Sequence, residues 1–142
     1  MITVNFGEPA RGWLPITFRA GTFELVLDAA DVPVNPLESL CEALAVVSAE
    51  GNAQVFWHLE PAECRFDFKN QAAEITLTLA ERPTRTRPFT QIFQVTGTSK
   101  EMLMPFYRAL AQFASHSYSE AHWPTLSKHK LVQLGSSLKK SR

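Results

Sequence analysis

Alternation of apolar and polar residues predicts most of the strands in this chain. Over 22–28 the apolar positions are Phe23, Leu25 and Leu27, and the same two-residue period recurs over 63–69 and 74–80. Successive side chains of a strand point to opposite faces, so each segment has one apolar and one polar face. We expect the polar faces to meet water. The same reasoning predicts further strands over 2–6, 13–20, 53–60 and 90–96.

One of these strands contains a proline that limits its place in a sheet. Pro15 lies within 13–20 and cannot donate a ladder hydrogen bond. The segment is therefore predicted to be an edge strand or to contain a bulge.

The best-supported helix follows Asn35 and begins at Pro36. Asn35 is a capping residue, and proline is well tolerated at the first helical position. We expect Glu38 to complete the cap and Gly51 to end the helix in a left-handed conformation. The three- and four-residue spacing of leucines in between predicts one buried stripe.

A second helix is predicted over about 98–114, with Pro105 either as a kink or as its true start. A short helix is predicted over 127–134, inside an irregular return over the sheet. The resulting fold is a single α+β domain over 1–134, followed by a frayed tail over 135–142. We expect one antiparallel, meander-like sheet with two helices packed on one face and an irregular C-terminal segment.

Composition limits the class of protein. The 142 residues suit one domain, and 45% hydrophobic content indicates a globular chain. The sequence contains no apolar run of membrane-spanning length and does not begin like a signal peptide, which predicts a cytoplasmic protein without membrane contact. Cys41 and Cys64 each lie on an apolar face, so both are expected to be buried and reduced.

The formal net charge is zero, but the charges are segregated along the chain. Residues 1–80 contain 4 Lys and Arg against 11 Asp and Glu, whereas residues 81–142 contain 10 against 3. Opposite charges on two halves predict self-complementary contact. That contact is internal, between subunits, or with a polar partner.

Motifs for metal or cofactor binding are missing from the sequence. Its four histidines and two cysteines do not have the spacing of zinc ligands, and neither a phosphate loop nor a dinucleotide fingerprint occurs. We therefore predict no metal and no cofactor. Glu60 and Glu63 resemble a pair of catalytic carboxylates, but a solvent-facing turn does not separate their pKa values, so a polar turn is the favoured interpretation.

Three arginines, Arg82, Arg85 and Arg87, follow the strand over 74–80. A loop of this kind suits phosphate contacts, yet zero net charge and an acidic first half disfavour nucleic acid as a partner. A solvated loop, or a clamp onto the acidic half of a second subunit, is the favoured interpretation. Trp123 lies in the segment with the weakest local pattern and is predicted to lie at an interface.

Several local motifs resemble those of a family of small uncharacterised bacterial proteins. The similarity covers Gly12-Trp13, the segment 31–37 before the leucine-rich helix, and the Trp57-His-Leu-Glu-Pro61 turn with the following Glu63-Cys-Arg65. It also covers the closing helix at 106–110 and the segment from Tyr118 to Pro124. This resemblance covers most of the chain and implies an α+β fold and a bacterial source.

These observations favour a non-enzymatic protein-interaction module that binds itself, as a homodimer, or a protein partner, as an immunity protein binds its toxin. The alternative is a small-molecule-binding protein or hydrolase with a pocket between the sheet and the C-terminal segment, using Glu60, His116 or His122. No catalytic residue is predicted. The candidate binding residues are Arg82, Arg85, Arg87, Glu60, His122 and Trp123.

Overall fold

The structure is a computed structural model that describes residues 1–140, and within them it has an α+β fold. The predicted α+β class is confirmed, and most predicted elements are present within a few residues of their expected bounds. In chain order the elements are β1 Ile2–Phe6, β2 Trp13–Ala20, β3 Phe23–Ala30, α1 Pro36–Ser48, β4 Ala53–His58, β5 Glu63–Gln71, β6 Glu74–Arg82, β7 Thr90–Gly97, α2 Ser99–Ala114 and α3 Lys128–Lys140.

The strands form two antiparallel sheets, so the prediction of a single sheet is wrong. Strands β1–β3 make a three-stranded first sheet, and β4–β7 make a four-stranded second sheet. Helix α1 separates β3 from β4 along the chain, and the two sheets meet through aromatic rings instead of ladder hydrogen bonds. Phe18 lies 5.7 Å from Phe66, and Phe23 stacks on Phe93 at 4.2 Å between ring centroids.

Strand β2 is the central strand of the first sheet, which corrects the prediction of an edge or bulge at Pro15. Strand β1 pairs with β2 only up to Ile16, so Pro15 lies one residue beyond that ladder. The Pro15 carbonyl accepts a hydrogen bond from Gly7 on that side. The backbone N and O of a strand residue point to the same side of the strand. The N–H that Pro15 lacks would therefore face the side where β1 has already ended, and the hydrogen bonds between β2 and β3 are unaffected.

Helix α1 begins as predicted and ends one residue earlier than expected. The Asn35 side chain accepts a hydrogen bond of 3.0 Å from the Leu37 N–H, which caps the helix. The residue with a left-handed backbone is Glu50, with φ of 71°, and not Gly51. The predicted stripe is confirmed, and Leu44 at its centre is fully buried.

Helix α2 starts with the capping box of Thr98 and Glu101 and continues through Pro105. Its predicted kink residue is therefore accommodated inside the helix. The backbone hydrogen bond from Thr98 leads the contacts that lower the pKa of Glu101, as expected for a carboxylate that caps a helix.

Helix α3 corrects the prediction of an irregular, frayed end. It extends to Lys140, and residues 141–142 lie outside the described residues. A hydrogen bond of 2.8 Å from the Ser127 N–H to the Glu38 carboxylate links the start of α3 to α1. Lys130 then reaches both Glu38 (3.2 Å) and Glu42 (2.8 Å), and hydrogen bonds to Glu42 and Glu38 raise its pKa. Glu38 therefore binds α3 and does not complete the α1 cap.

Helices pack on the inner face of the second sheet and leave its outer face open. Phe106 of α2 contacts Phe66 and Phe68, which point inward from β5. The side chains that alternate with these point outward and are largely polar. No helix of the described residues covers this outer face, so its side chains are accessible to a partner or ligand.

Candidate functional site

Three charged or titratable side chains lie side by side on the outer face. The antiparallel register pairs His58 of β4 with Glu63 of β5, and Glu63 with Arg82 of β6. His58 Nδ1 lies 2.9 Å from one Glu63 carboxylate oxygen. Arg82 donates to the other oxygen through Nε at 2.8 Å and also through Nη2. We call His58, Glu63 and Arg82 the charged row.

Glu63 is a buried carboxylate, only 5% exposed, although the polar pattern predicted that it meets water. Burial alone raises its pKa, but hydrogen bonds and positive charge from Arg82, together with the nearby His58, outweigh that effect. The net pKa of Glu63 is lowered, so it is ionised at neutral pH. The expectation of a simple solvent-facing turn at this position is therefore wrong.

An aromatic cluster covers the sheet beside the charged row. Phe89, just before β7, lies with its ring centroid 4.3 Å from the Arg82 guanidinium carbon and 4.4 Å from that of Arg65. Its ring is also 6.0 Å from that of Phe56 on β4. Arginine over an aromatic face is a favourable cation–π arrangement. Phe89 therefore forms a ridge across three strands at one end of the outer face.

The remainder of the outer face is polar. Gln54 donates to Asp67 at 3.3 Å, across β4 and β5. Gln94 donates to Thr78 at 2.9 Å, across β7 and β6. Another hydroxyl pair, Thr76 and Thr96, lies 2.9 Å apart. These cross-strand hydrogen bonds order the side chains of this part of the face, which we call the polar end, in the absence of a partner.

A groove of about 480 Å³ opens next to the charged row. Glu60 on its wall adopts φ of 47°, a left-handed conformation that is uncommon for non-glycine residues and concentrates at functional sites. Its lining residues are Val32, Pro33, His58, Glu60, Pro61, Ala62, Glu63 and Arg85.

Four of the predicted binding residues lie in or beside this region. Arg82 belongs to the charged row, and Glu60 and Arg85 line the groove. Arg87 is exposed on the same 83–89 connection. Within the described residues, Arg85 and Arg87 have no carboxylate within ion-pair distance, so both remain available to a partner.

The other two predicted residues, His122 and Trp123, belong to a different part of the fold. The backbone N–H groups of Arg11 and Gly12 donate to His122, at Nδ1 (3.1 Å) and at the carbonyl oxygen (2.7 Å) respectively. These two hydrogen bonds link His122 and the C-terminal segment to the β1–β2 connection. Trp123 is 1% exposed, so the prediction of an interface position is wrong: its indole packs into the core.

Sequence reasoning missed His58, Arg65 and Phe89 as members of the site. Strand alternation was the available signal for Arg65, because it placed Arg65 and Glu63 on one face. The register between strands was needed to bring His58 and Arg82 to either side of Glu63.

The two thiols take no part in this site. Burial, and next the charge of Glu38, raises the pKa of Cys41 to about 11. Burial, and next the charge of Glu81, raises the pKa of Cys64 to about 12. Both are therefore protonated at neutral pH, and a protonated thiol is a poor nucleophile.

Two kinds of feature are absent from the described residues. No helix among them has the length and apolar character needed to cross a membrane. No cluster of three or more His, Cys, Asp or Glu side chains among them is arranged to hold a metal ion. Comparison with protein-family models, with curated proteins and with solved structures finds no match for this chain.

Proposed function

We propose that this protein is a protein-interaction module that uses the outer face of the second sheet, and that a second copy of the chain occupies this face. The observation that carries the proposal is the pre-ordered outer face with its alternating charges, which no helix of the described residues covers. Binding by an immunity-like mechanism, a bacterial source and a cytoplasmic location stay predictions.

The charges on β5 are self-complementary when the strand is reversed. Its outward residues Glu63, Arg65, Asp67 and Lys69 alternate in sign. A two-fold axis that lies between the two outer faces, perpendicular to β5 and level with Phe66, places Arg65 of one copy opposite Asp67 of the other, twice per dimer. Isologous interfaces pair a surface with itself in this way.

The distribution of side chains on the face is compatible with the same arrangement. The Phe89 ridge stands over one end, and the end around Thr76 and Asp67 is polar. Because the two-fold axis reverses the strands, each ridge faces the polar end of the other copy. The unpaired Arg85 and Arg87 then approach the hairpin end, where Glu74 is exposed.

Among the described residues, the groove lacks the hydroxyl or thiol nucleophile of a serine, threonine or cysteine hydrolase, which favours binding. Both carboxylate oxygens of Glu63 are already engaged, one by Arg82 and one by His58. The side chains that line the groove contain no hydroxyl or thiol. Covalent catalysis usually requires a nucleophile next to a base. Among the described residues, the groove has no hydroxyl or thiol beside His58 to form such a pair.

Sedimentation measures self-association directly. We expect a monomer–dimer equilibrium between about 1 μM and about 500 μM protein at low salt. Association should weaken in about 0.5 M salt, because exposed charges are screened over a few ångströms there. A monomer under every condition would overturn the proposal and direct the search to a different protein partner.

A charge-swap experiment tests the proposed register. Asp67→Lys and Arg65→Glu should each weaken the homodimer, since each places like charges opposite one another. An equimolar mixture of the two variants should restore dimers, because opposite charges then meet at both contacts. Asp28→Lys, on the outer face of the first sheet, is the matched control and should leave association unchanged. Failure of the mixture to recover would refute this register.

A further inference from the structure

The groove beside the charged row is lined by two opposite charges that do not pair with each other. Glu60 belongs to the β4–β5 turn and Arg85 to the β6–β7 connection. Both residues are exposed, and within the described residues neither forms an ion pair with the other or with any other group. The groove therefore offers an anionic and a cationic contact at the same time.

The other carboxylate of the groove is already compensated. Arg82 contacts one oxygen of Glu63, and His58 lies 2.9 Å from the other. Glu60 and Arg85 are therefore the charges that a ligand in the groove would meet.

Hydrogen bonds order the backbone that carries these two charges. The Leu59 N–H donates to the Ala62 carbonyl oxygen at 2.8 Å and closes the turn that contains Glu60. Arg82 donates through Nη1 to the carbonyl oxygen of Arg85 at 3.3 Å. Glu60 itself adopts φ of 47°, and residues held in such a conformation concentrate at functional sites and ligand clamps. Both charges are thus presented from an ordered backbone.

The rest of the lining is mainly apolar. Val32, Pro33, Pro61 and Ala62 contribute side chains without hydrogen-bonding groups. Val32 is 54% exposed, so part of its surface is free to be covered. The volume of about 480 Å³ lies within the range of small-ligand pockets, about 300–1,000 Å³. An apolar group placed here would be transferred out of water, which is favourable.

We propose that this groove binds a small zwitterion with an apolar side chain, the class represented by a free apolar amino acid. The ligand ammonium contacts the Glu60 carboxylate, and the ligand side chain covers Val32 and Pro61. The ligand carboxylate accepts hydrogen bonds from Arg85, whose guanidinium fork matches a carboxylate. This inference does not depend on self-association.

Leucine and three analogues are the probes. N-acetyl-leucine lacks the ammonium group, leucinamide lacks the carboxylate, and glycine keeps both charges without the apolar side chain. In NMR titrations at pH 7, we expect leucine to shift the backbone resonances of His58 and Ala62 saturably, with a Kd below about 10 mM. Each analogue should bind at least about fivefold more weakly, because each lacks one of the three contacts.

Matched variants test the two charges. Glu60→Gln and Arg85→Gln should each weaken leucine binding about fivefold, since each removes one exposed ionic contact. Glu50→Gln is the control for the first, because Glu50 is also an exposed glutamate with a left-handed φ, 71°, and lies outside the groove lining. Arg87→Gln, on the same connection as Arg85, is the control for the second. Both controls should bind leucine as the wild type does.

The outcome is separable from that of the proposed dimer. Asp67→Lys should weaken self-association and leave leucine binding unchanged, because Asp67 does not line the groove. Three results would overturn the inference. The first is the absence of a saturable shift below about 10 mM leucine. The second is equal affinity for leucine and any of the three analogues, which would mean that the groove does not recognise the zwitterion and its side chain together. The third is unchanged leucine affinity in either Glu60→Gln or Arg85→Gln.

Discussion

Arg82→Met tests the charged row, because it removes the guanidinium from the buried Glu63 carboxylate. Removing one partner of a buried ion pair typically costs about 3–5 kcal/mol, since the other charge stays buried and unpaired. The Arg82 side chain is 22% exposed, so water can replace part of the lost interaction. His58 also keeps its contact with Glu63. We therefore expect a loss of about 2–3 kcal/mol in the free energy of unfolding.

Urea unfolding at pH 7, followed by tryptophan fluorescence, measures this loss. Arg19→Met is the matched control, because the Arg19–Glu24 pair joins side chains that are 60% and 48% exposed. Exposed pairs contribute about 0–1 kcal/mol, so this variant should be nearly neutral. The double variant Glu63→Gln/Arg82→Met should be more stable than Arg82→Met alone, since it buries no unpaired charge. A loss no larger than that of Arg19→Met, or additive effects in the double variant, would refute the reasoning.

The pH dependence of the row has a defined sign. The pKa of Glu63 is lower in the folded protein than in the unfolded chain. Ionised Glu63 therefore contributes stability above its ordinary unfolded pKa of about 4.3, and this contribution is lost as pH falls through the lower folded pKa. The stability advantage of the wild type over Glu63→Gln should be constant near neutral pH and shrink below about pH 4. A stability advantage of the wild type over Glu63→Gln that grows as the pH falls would contradict the lowered pKa of Glu63 in the folded protein.

Three further predictions concern the core, a turn and the thiols. Leu44→Ala should cost about 2–5 kcal/mol in urea unfolding, because Leu44 is fully buried and truncation leaves a cavity; a loss under about 1 kcal/mol would contradict its burial. Gly12→Ala should cost more than Gly21→Ala in the same assay, since both have positive φ but only at Gly12 would a Cβ meet Asp31, at 2.9 Å; equal losses would contradict the contact. Cys41 and Cys64 should not react with an aromatic disulfide reagent at pH 7 until the protein is unfolded in urea; rapid reaction of the folded protein would contradict their raised pKa.

Local patterns predicted the elements of this fold because alternation, capping residues and leucine spacing act within a few residues. The Asn35 cap, the Thr98–Glu101 capping box and the alternation over 63–69 were all readable in this way. The division into two sheets was not readable, because every strand has the same alternation whichever neighbour it joins. Pairing depends on contacts between distant segments, such as Phe18 with Phe66.

The candidate site was only partly predictable for the same reason. Glu63 belongs to a polar face by sequence, and polar faces usually meet water. Its burial follows from the register that places His58 and Arg82 on either side of it. Trp123 was misjudged in the opposite direction, because a weak local pattern at 115–127 concealed an indole that packs into the core.

The segregation of charge along the chain is partly neutralised inside the fold. Arg82 and Lys130, from the basic part, bind Glu63, Glu38 and Glu42, from the acidic part. Arg85 stays exposed without an ion pair in the described residues. Salt should therefore affect association and folding differently. Raising the salt concentration to about 0.5 M screens the exposed charges that the proposed dimer uses, whereas the enclosed Glu63–Arg82 pair is screened much less. Association should weaken strongly, while the unfolding free energy of the monomer should change little. If salt weakened association and folding equally, the same charges would have to stabilise the dimer and the fold, which would contradict this separation.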